Sequence, residues 1–376
     1  MQVKQVYELV NDALKETLGD SVVLSEDLSN TVQMGQEVFN ASAAHIYSKN
    51  LINRIGKVNF EAFKYSGRAP SVYMDGWEYG SIRQKINFTL TNATENESWE
   101  LQNGQSYDPN IFTEPKVEVQ YFNGKTTFEV PISITEEMIK QSFASAQELN
   151  ALVSGIFTYI DNTLTIATDN LVMRTINNFI GEVIHDDNTV RCVKLVSKYN
   201  AENPDDQVTT DNCLRNLNFI KYMAFTLKLY NSRIKVMSKL FNLGGKERFT
   251  TADRTHLVML DVVKAAADIY LQSDTFHNEL TALPNAEEVP YWQGSGTSYA
   301  LADVSKINVK TSAGNTVEQR GVAAIMFDHY ALGVSCMNKR TTTNYNGKAE
   351  FTNYWFKQDA QYFNDRNENF VVFLLV

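Results

Sequence analysis

The chain has 376 residues, 43% of them hydrophobic, with a formal net charge of −10 at pH 7 and a pI of about 5.1. The hydrophobic content excludes wholesale disorder, and the length allows two or three sub-domains. The acidic balance argues against a protein whose main task is gripping nucleic acid, because phosphate neutralisation calls for a basic surface.

Residues 1–20 carry Val3, Val6, Val10 and Leu14 at helical spacing, closed by Gly19. A second helical stretch is expected from Thr31 to Ile55. From about Lys57 to Pro131 the pattern becomes extended. Ile82 to Leu90 alternates, and Val117 to Val130 reads as two alternating runs joined by Asn123-Gly124, a pair that favours a tight hairpin turn. Thr91 to Thr113, polar and rich in Asn, Glu and Gly, reads as an exposed loop tip.

Two helix starts follow. Ser133 or Thr135 suits the cap of a short helix opened by Glu136 and Glu137. Ser145 with Glu148 forms an S-x-x-E box, opening a long helix with Leu149, Val153, Ile156, Ile160, Leu164, Leu171, Ile176 and Phe179 on its apolar positions. Gly181 is its expected stop. The other side carries Asn150, Thr158, Thr163, Asn170, Thr175 and Asn177 with few charges, which suggests contact with neighbouring subunits rather than open solvent.

Residues 185–212 read as an acidic linker with one short strand, Val190 to Val196. A helix is expected from Cys213 to Tyr230, then a buried strand from Leu257 to Leu260 turning into a helix near Asp261. The stretch PNAEEVPYWQGSGTS reads as a loop, followed by alternating strands around Gly321 to Phe327. Phe351 to Phe373 holds eight aromatics and reads as strands ending in a buried FVVFLLV. The fold class is α+β.

Chemistry-bearing motifs are few. Gly244-Gly245-Lys246 lacks the first glycine of a phosphate loop, with Leu240 in its place, and Glu247 stands where Ser or Thr belongs. Gly294-Ser295-Gly296 has no strand immediately before it. His45, His185, His256, His277 and His329 are scattered without metal-ligand spacing, and Asp186-Asp187 and Asp205-Asp206 read as solvated carboxylates. No catalytic, cofactor or metal residue is assigned, and no enzyme activity is expected. Cys192, Cys213 and Cys336 form no paired motif, which points to free thiols in a reducing compartment. Four Asn-x-Ser/Thr triplets, at Asn40, Asn87, Asn92 and Asn96, lack the secretory signal that would make them glycosylation sites. No apolar run is long enough to span a membrane. Between Lys221 and Arg248 the chain carries Lys228, Arg233, Lys235, Lys239 and Lys246 against Glu247 alone, either a solvated face or a patch meeting an acidic neighbour or packaged DNA.

The order of elements resembles the HK-97 (Hong Kong 97) capsid fold. The stretches Ile46 to Phe60, Phe128 to Ile180 and Gly321 to Val376 are similar to the phi-29-like podovirus capsid proteins. The resemblance implies an N-terminal arm (1–71), an E-loop hairpin with flanking P-domain strands (72–132), a P-domain with a spine helix (133–185), an A-domain (186–321) and return strands (322–376). It implies a major capsid protein forming hexamers and pentamers of an icosahedral or prolate head around double-stranded DNA, without sequence-specific binding. The β excursion would reach over one neighbour and the N-terminal arm would lie along another. Implied partners are copies of itself, a portal protein and a separate scaffolding protein, with assembly in the bacterial cytoplasm and residence in the virion. The rival readings are an encapsulin-like nanocompartment shell, another virion assembly component such as a portal, and an enzyme of unfamiliar type.

Overall fold

The computed structural model describes residues 3–20, 22–62, 67–74, 82–88, 93, 95, 103–104, 110–274, 286–293 and 300–376. Three helices open the chain: α1 (Val3–Leu18), α2 (Thr31–Asn40) and α3 (Ala44–Ala62). The single stretch expected from Thr31 to Ile55 is broken after Asn40, where Ser42 takes a left-handed φ of 51°. Val6, Val10 and Leu14 are fully buried, as are Val38 and Tyr47, and all pack into one core. These helices therefore pack against their own chain.

β1 (Arg83–Phe88) and β2 (Val117–Phe122) pair antiparallel, from Arg83 opposite Phe122 to Phe88 opposite Val117. β3 (Lys125–Thr135) follows β2 at once, yet the two do not pair. β3 joins a three-stranded sheet beside β11 (Phe351–Asn364), which in turn pairs with β10 (Leu332–Asn346). The expected Asn123-Gly124 hairpin is thus absent, and neither residue has a positive φ. Instead the Gly124 carbonyl accepts from the Tyr362 N–H at 3.1 Å, and a Cβ on Gly124 would lie 2.5 Å from the Tyr362 oxygen. Glycine here permits close approach of two backbones while the chain passes from one sheet to another. Most of the expected loop tip, Thr91 to Thr113, lies outside the described residues.

The helix starts follow their caps. Thr135 Oγ1 accepts from the Met138 N–H at 3.1 Å to begin α4 (Glu136–Ser142), and Ser145 Oγ accepts from the Glu148 N–H at 3.2 Å to begin α5 (Ala146–Asp186). At about 1.5 Å per residue α5 is roughly 60 Å long. It does not stop at Gly181 but runs on to Asp186, and Asp187 closes it with a left-handed φ of 46°. Gly181 serves packing: a Cβ there would meet Val309 Cγ2 at 2.3 Å.

The second sheet has the order β4 (Cys192–Lys194), β12 (Phe370–Leu374), β9 (Val322–Asp328), β5 (Thr255–Leu260), β6 (Ala286–Val289). Its outer pairs β4/β12 and β5/β6 are parallel and its inner pairs antiparallel. Every residue of β9 and β12 is buried, so the alternation expected near Gly321 to Phe327 gives way to a strand covered on both faces. Around it stand α6 (Leu195–Glu202), α7 (Leu217–Arg233), α8 (Asp261–Asp274), the short α9 (Leu301–Val304) and the hairpin β7 (Ile307–Lys310) with β8 (Thr316–Gln319). Three expectations are corrected here. The linker 185–212 contains a helix, α7 begins after a short turn at Cys213–Arg215 with Asn216 as its cap, and the loop around Glu287 is an edge strand. An edge strand tolerates the polar Glu287 and Glu288, which is why its sequence resembles a loop.

α5 joins two cores. Leu149, Val153, Ile160 and Leu164 belong to one, with α1–α3, β3 and β11, while Leu171, Ile176, Phe179 and Ile180 belong to the other, with the five-stranded sheet. In its second half Thr175 and Asn177 are buried, with Asn177 Nδ2 donating to the Trp292 carbonyl at 2.6 Å, while Asn170 is exposed. The architecture is α+β, and among the described residues no helix is long and apolar enough to cross a membrane.

Candidate assembly surface

The β1–β2 ribbon is inverted relative to an ordinary surface hairpin. Alternation puts Arg83, Lys85, Asn87, Glu118, Gln120 and Phe122 on the half-buried face, against the body of the protein. The opposite face carries Ile86, Phe88, Val117, Val119 and Tyr121, exposed by 43–65%. Ile86 lies opposite Val119 and Phe88 opposite Val117, so these side chains form one contiguous apolar patch. Monomeric proteins seldom leave such a patch uncovered.

The polar face is held by charge. Lys85 Nζ lies 2.5 Å from both Asp365 Oδ2 and Glu368 Oε1, two carboxylates almost wholly buried in the connection between β11 and β12. Arg248 approaches Glu368 at 3.5 Å, and Arg254 binds the buried Asp328 at 2.8 Å. The Arg83 guanidinium sits 4.1 Å above the Phe363 ring, which Phe122 also touches with ring centroids 5.3 Å apart. Glu118 on β2 pairs with Lys246 at 2.5 Å. An isolated two-stranded ribbon is marginal in water, so these contacts fix it in place.

Elsewhere in the three-stranded sheet, Asp359 is 3% exposed. Burial alone would raise its pKa. Hydrogen bonds from Arg340 and Thr127, with the positive charges of Arg340 and Lys125, overcome this and hold the carboxyl down at about 2.

The basic run beginning at Lys221 is partly spoken for inside the chain. Lys246 goes to Glu118, Arg248 to Glu368 and Lys239 to Glu247 at 3.4 Å. Gly244 packs against Asn367, where a Cβ would clash, so its glycine has a packing reason rather than a phosphate-loop one. Asp186 and Asp187 pair with Arg191 and Lys194, and Asp206 accepts from Tyr199, Asn216 and Asn218. Gly294-Ser295-Gly296 lies outside the described residues. The three cysteines are free, and burial pushes the Cys192 and Cys213 thiols up to about 11. Among the described residues no group of three or more His, Cys, Asp or Glu is arranged to hold a metal. His256 and His329, far apart in sequence, meet with ring centroids 5.4 Å apart and planes tilted by 53°, and burial followed by the neighbouring His329 lowers the His256 pKa.

Reading the alternation of Arg83 to Phe88 could not show which face points inward. The deciding residues, Asp365 and Glu368, lie some 280 positions away, and only the fold brings them to Lys85.

The model of the Phi29-like phage major capsid protein family matches residues 9–374 of the chain. Among solved structures, a chain of the capsid structure of Staphylococcus phage Andhra is 9% identical with a TM-score of 0.50, over 84% of this chain and 85% of that one. A chain from the structure described as head fiber and inner core protein gp22 of native bacteriophage P68 is 10% identical with a TM-score of 0.54, over 84% and 86%. At these identities the likeness is one of fold. No curated protein matches the chain.

Proposed function

The chain belongs to the Phi29-like phage major capsid protein family, and from that membership we propose that its copies assemble into the hexamers and pentamers of an icosahedral or prolate head enclosing double-stranded DNA. The role is structural rather than catalytic. The observation that carries the assembly reading is the outward apolar face of the β1–β2 ribbon, whose charged side is anchored to the body of the protein and whose apolar side is exposed among the described residues. Such a face is of the kind that a neighbouring copy covers, and contacts between unlike surfaces close into rings by rotation.

Under this reading residues 1–71 form an arm seated on its own spine, 72–132 the E-loop and its flanking strands, 133–185 the P-domain with the spine helix, 186–321 the A-domain and 322–376 the return strands. The grouping is supported by the two cores, one on each half of α5. A portal and a separate scaffolding protein are the further partners, with assembly in the host cytoplasm. The net charge of −10 favours a wall that encloses DNA without gripping it.

The test replaces the apolar face while keeping strand propensity: Ile86→Thr, Val119→Thr and Tyr121→Thr together. The expected result is a folded subunit with unchanged circular dichroism that no longer forms closed particles by electron microscopy, with or without the scaffolding partner. Particles formed as readily as by the parent would refute the reading.

A further inference from the structure

The loop after α7 is framed so that its tip stands clear of the body. Ile234 is fully buried and its carbonyl accepts from the Thr250 N–H at 2.9 Å, while Ser238 and Arg248 exchange backbone hydrogen bonds at 2.9 and 3.0 Å. The Leu240 carbonyl accepts from Arg191 Nη1 at 3.1 Å. Held at these points, the loop exposes Val236, Met237 and Leu240 by 66%, 44% and 57%, with Arg233, Lys235 and Lys239 exposed among them. The neighbouring cations are already matched, Lys246 by Glu118 and Arg248 by Glu368, and Lys239 reaches Glu247. Arg233 and Lys235 form no ion pair among the described residues, so the loop keeps their positive charge after every partner is counted.

The same chain carries a surface of opposite sign. Residues 6–43 hold seven carboxylates, with Lys15 as their only cation. Arg54 takes up Asp12 and Glu16, whereas the exposed Asp20, Glu26 and Asp27 form no ion pair among the described residues. These three lie in the connection between α1 and α2, beside Val23, which is 52% exposed; Val32, in the first turn of α2, is 49% exposed. The connection is framed as firmly as the loop. Asn30 Nδ2 donates to the Val23 carbonyl at 3.0 Å, Asn30 Oδ1 accepts from the Ser25 N–H at 2.8 Å, and the buried Asn11 accepts from the Leu24 N–H at 3.0 Å. Each surface thus presents apolar side chains beside unspent charge of one sign, already held in shape, and no ion pair joins the two among the described residues of one subunit. Double-stranded DNA suits the loop less well, because a phosphate backbone leaves Val236, Met237 and Leu240 without apolar cover. Unlike surfaces on one subunit are what a heterologous ring contact requires. Resting on the shell-forming reading above, we infer that the basic loop, residues 233–240, docks on the acidic α1–α2 connection, residues 20–32, of a neighbouring copy of this chain.

The test exchanges the signs at residues that form no ion pair in their own chain: Arg233→Glu with Lys235→Glu on the loop, and Asp20→Lys with Glu26→Lys on the connection. Each pair is expected to leave the melting temperature of the free subunit within about 2 °C of the parent. Each is also expected to raise the concentration needed for assembly at low salt about tenfold or more. The chain carrying all four substitutions is expected to assemble within about threefold of the parent, because the attraction re-forms with its signs exchanged. A four-substitution chain no better than the worse pair overturns the docking, as does either pair that assembles as readily as the parent. Loop variants that form closed particles normally but fail to fill them with DNA, or that fail only with a scaffolding protein present, overturn it as well. Where reversal shifts the melting temperature, Arg233→Gln with Lys235→Gln takes its place; a rise of about threefold is expected, and no rise overturns the docking. The parent separates the two readings. If it forms closed particles, a failed rescue rejects the docking and keeps the shell; if it forms none, the shell is rejected and the docking with it.

Discussion

Asp359 keeps its charge in a buried position because Thr127, Arg340 and Lys125 converge on it from β3 and β10. Its folded pKa, about 2, lies below the ordinary value of 3.8, so the stabilisation is complete above pH 4 and disappears as pH falls through 2. The difference corresponds to roughly 2 kcal/mol. Acid unfolding followed by circular dichroism is expected to show this loss, and Asp359→Asn to flatten it between about pH 4 and pH 2. A variant with the parent's acid profile would rule out this source. Gly124 makes a second prediction at the same scale. Gly124→Ala drives a methyl into the Tyr362 carbonyl, a backbone atom that cannot swing aside, and is expected to cost about 1–3 kcal/mol in denaturant unfolding. The dipeptide Asn123-Gly124 is legible as a turn only if local conformation decides its shape. Here the requirement comes from β11, more than 200 residues downstream, and a local signal could not carry it.

The elements were readable where their causes are local. Thr135 and Ser145 cap the helices their sequences announce, because a side-chain oxygen and an N–H three residues on need nothing else. The end of α5 was not readable, since Gly181 answers to Val309 on β7 and not to the helix itself. The polarity of β9 was hidden for the same reason: cover on its second face comes from elsewhere in the chain. The ribbon offers the sharpest test of an element held by distant partners. Lys85→Met removes the cation that holds Asp365 and Glu368 and leaves two carboxylates poorly compensated in a buried place. A loss of about 3–5 kcal/mol in thermal unfolding is expected, with faster amide exchange in residues 83–88 and 117–122. Unchanged exchange in those strands would mean that the ion pairs do not anchor the ribbon.

At the scale of the molecule, the element order carried the α+β class and the family, because an arm, a β excursion, a long helix and aromatic closing strands form a sequence of parts that composition alone does not supply. What remained hidden was which surfaces face outward. The first helix, with Val6, Val10 and Leu14, offers an apolar face whose cover its sequence does not name; the fold packs these three residues into the core that also holds the first half of α5. The apolar ribbon face looked like half of an ordinary hairpin. Both were decided by contacts between residues far apart in the chain.

The place of β12 has a consequence for how the protein is made. Phe370–Leu374 slots between Cys192–Lys194 and Val322–Asp328, so the central sheet closes only when segments nearly two hundred residues apart have met. Such long-range pairing is slow to form. Until Asp365 and Glu368 arrive just ahead of that last strand, the β1 and β2 segments lack their anchor, and Ile86, Val119 and Tyr121 stay uncovered while the sheet is still open. A growing chain therefore becomes sticky before it becomes finished. Its yield in the cell will depend on how fast the last strand is delivered relative to how fast unfinished chains find one another, with losses to aggregation rising as synthesis becomes more concentrated.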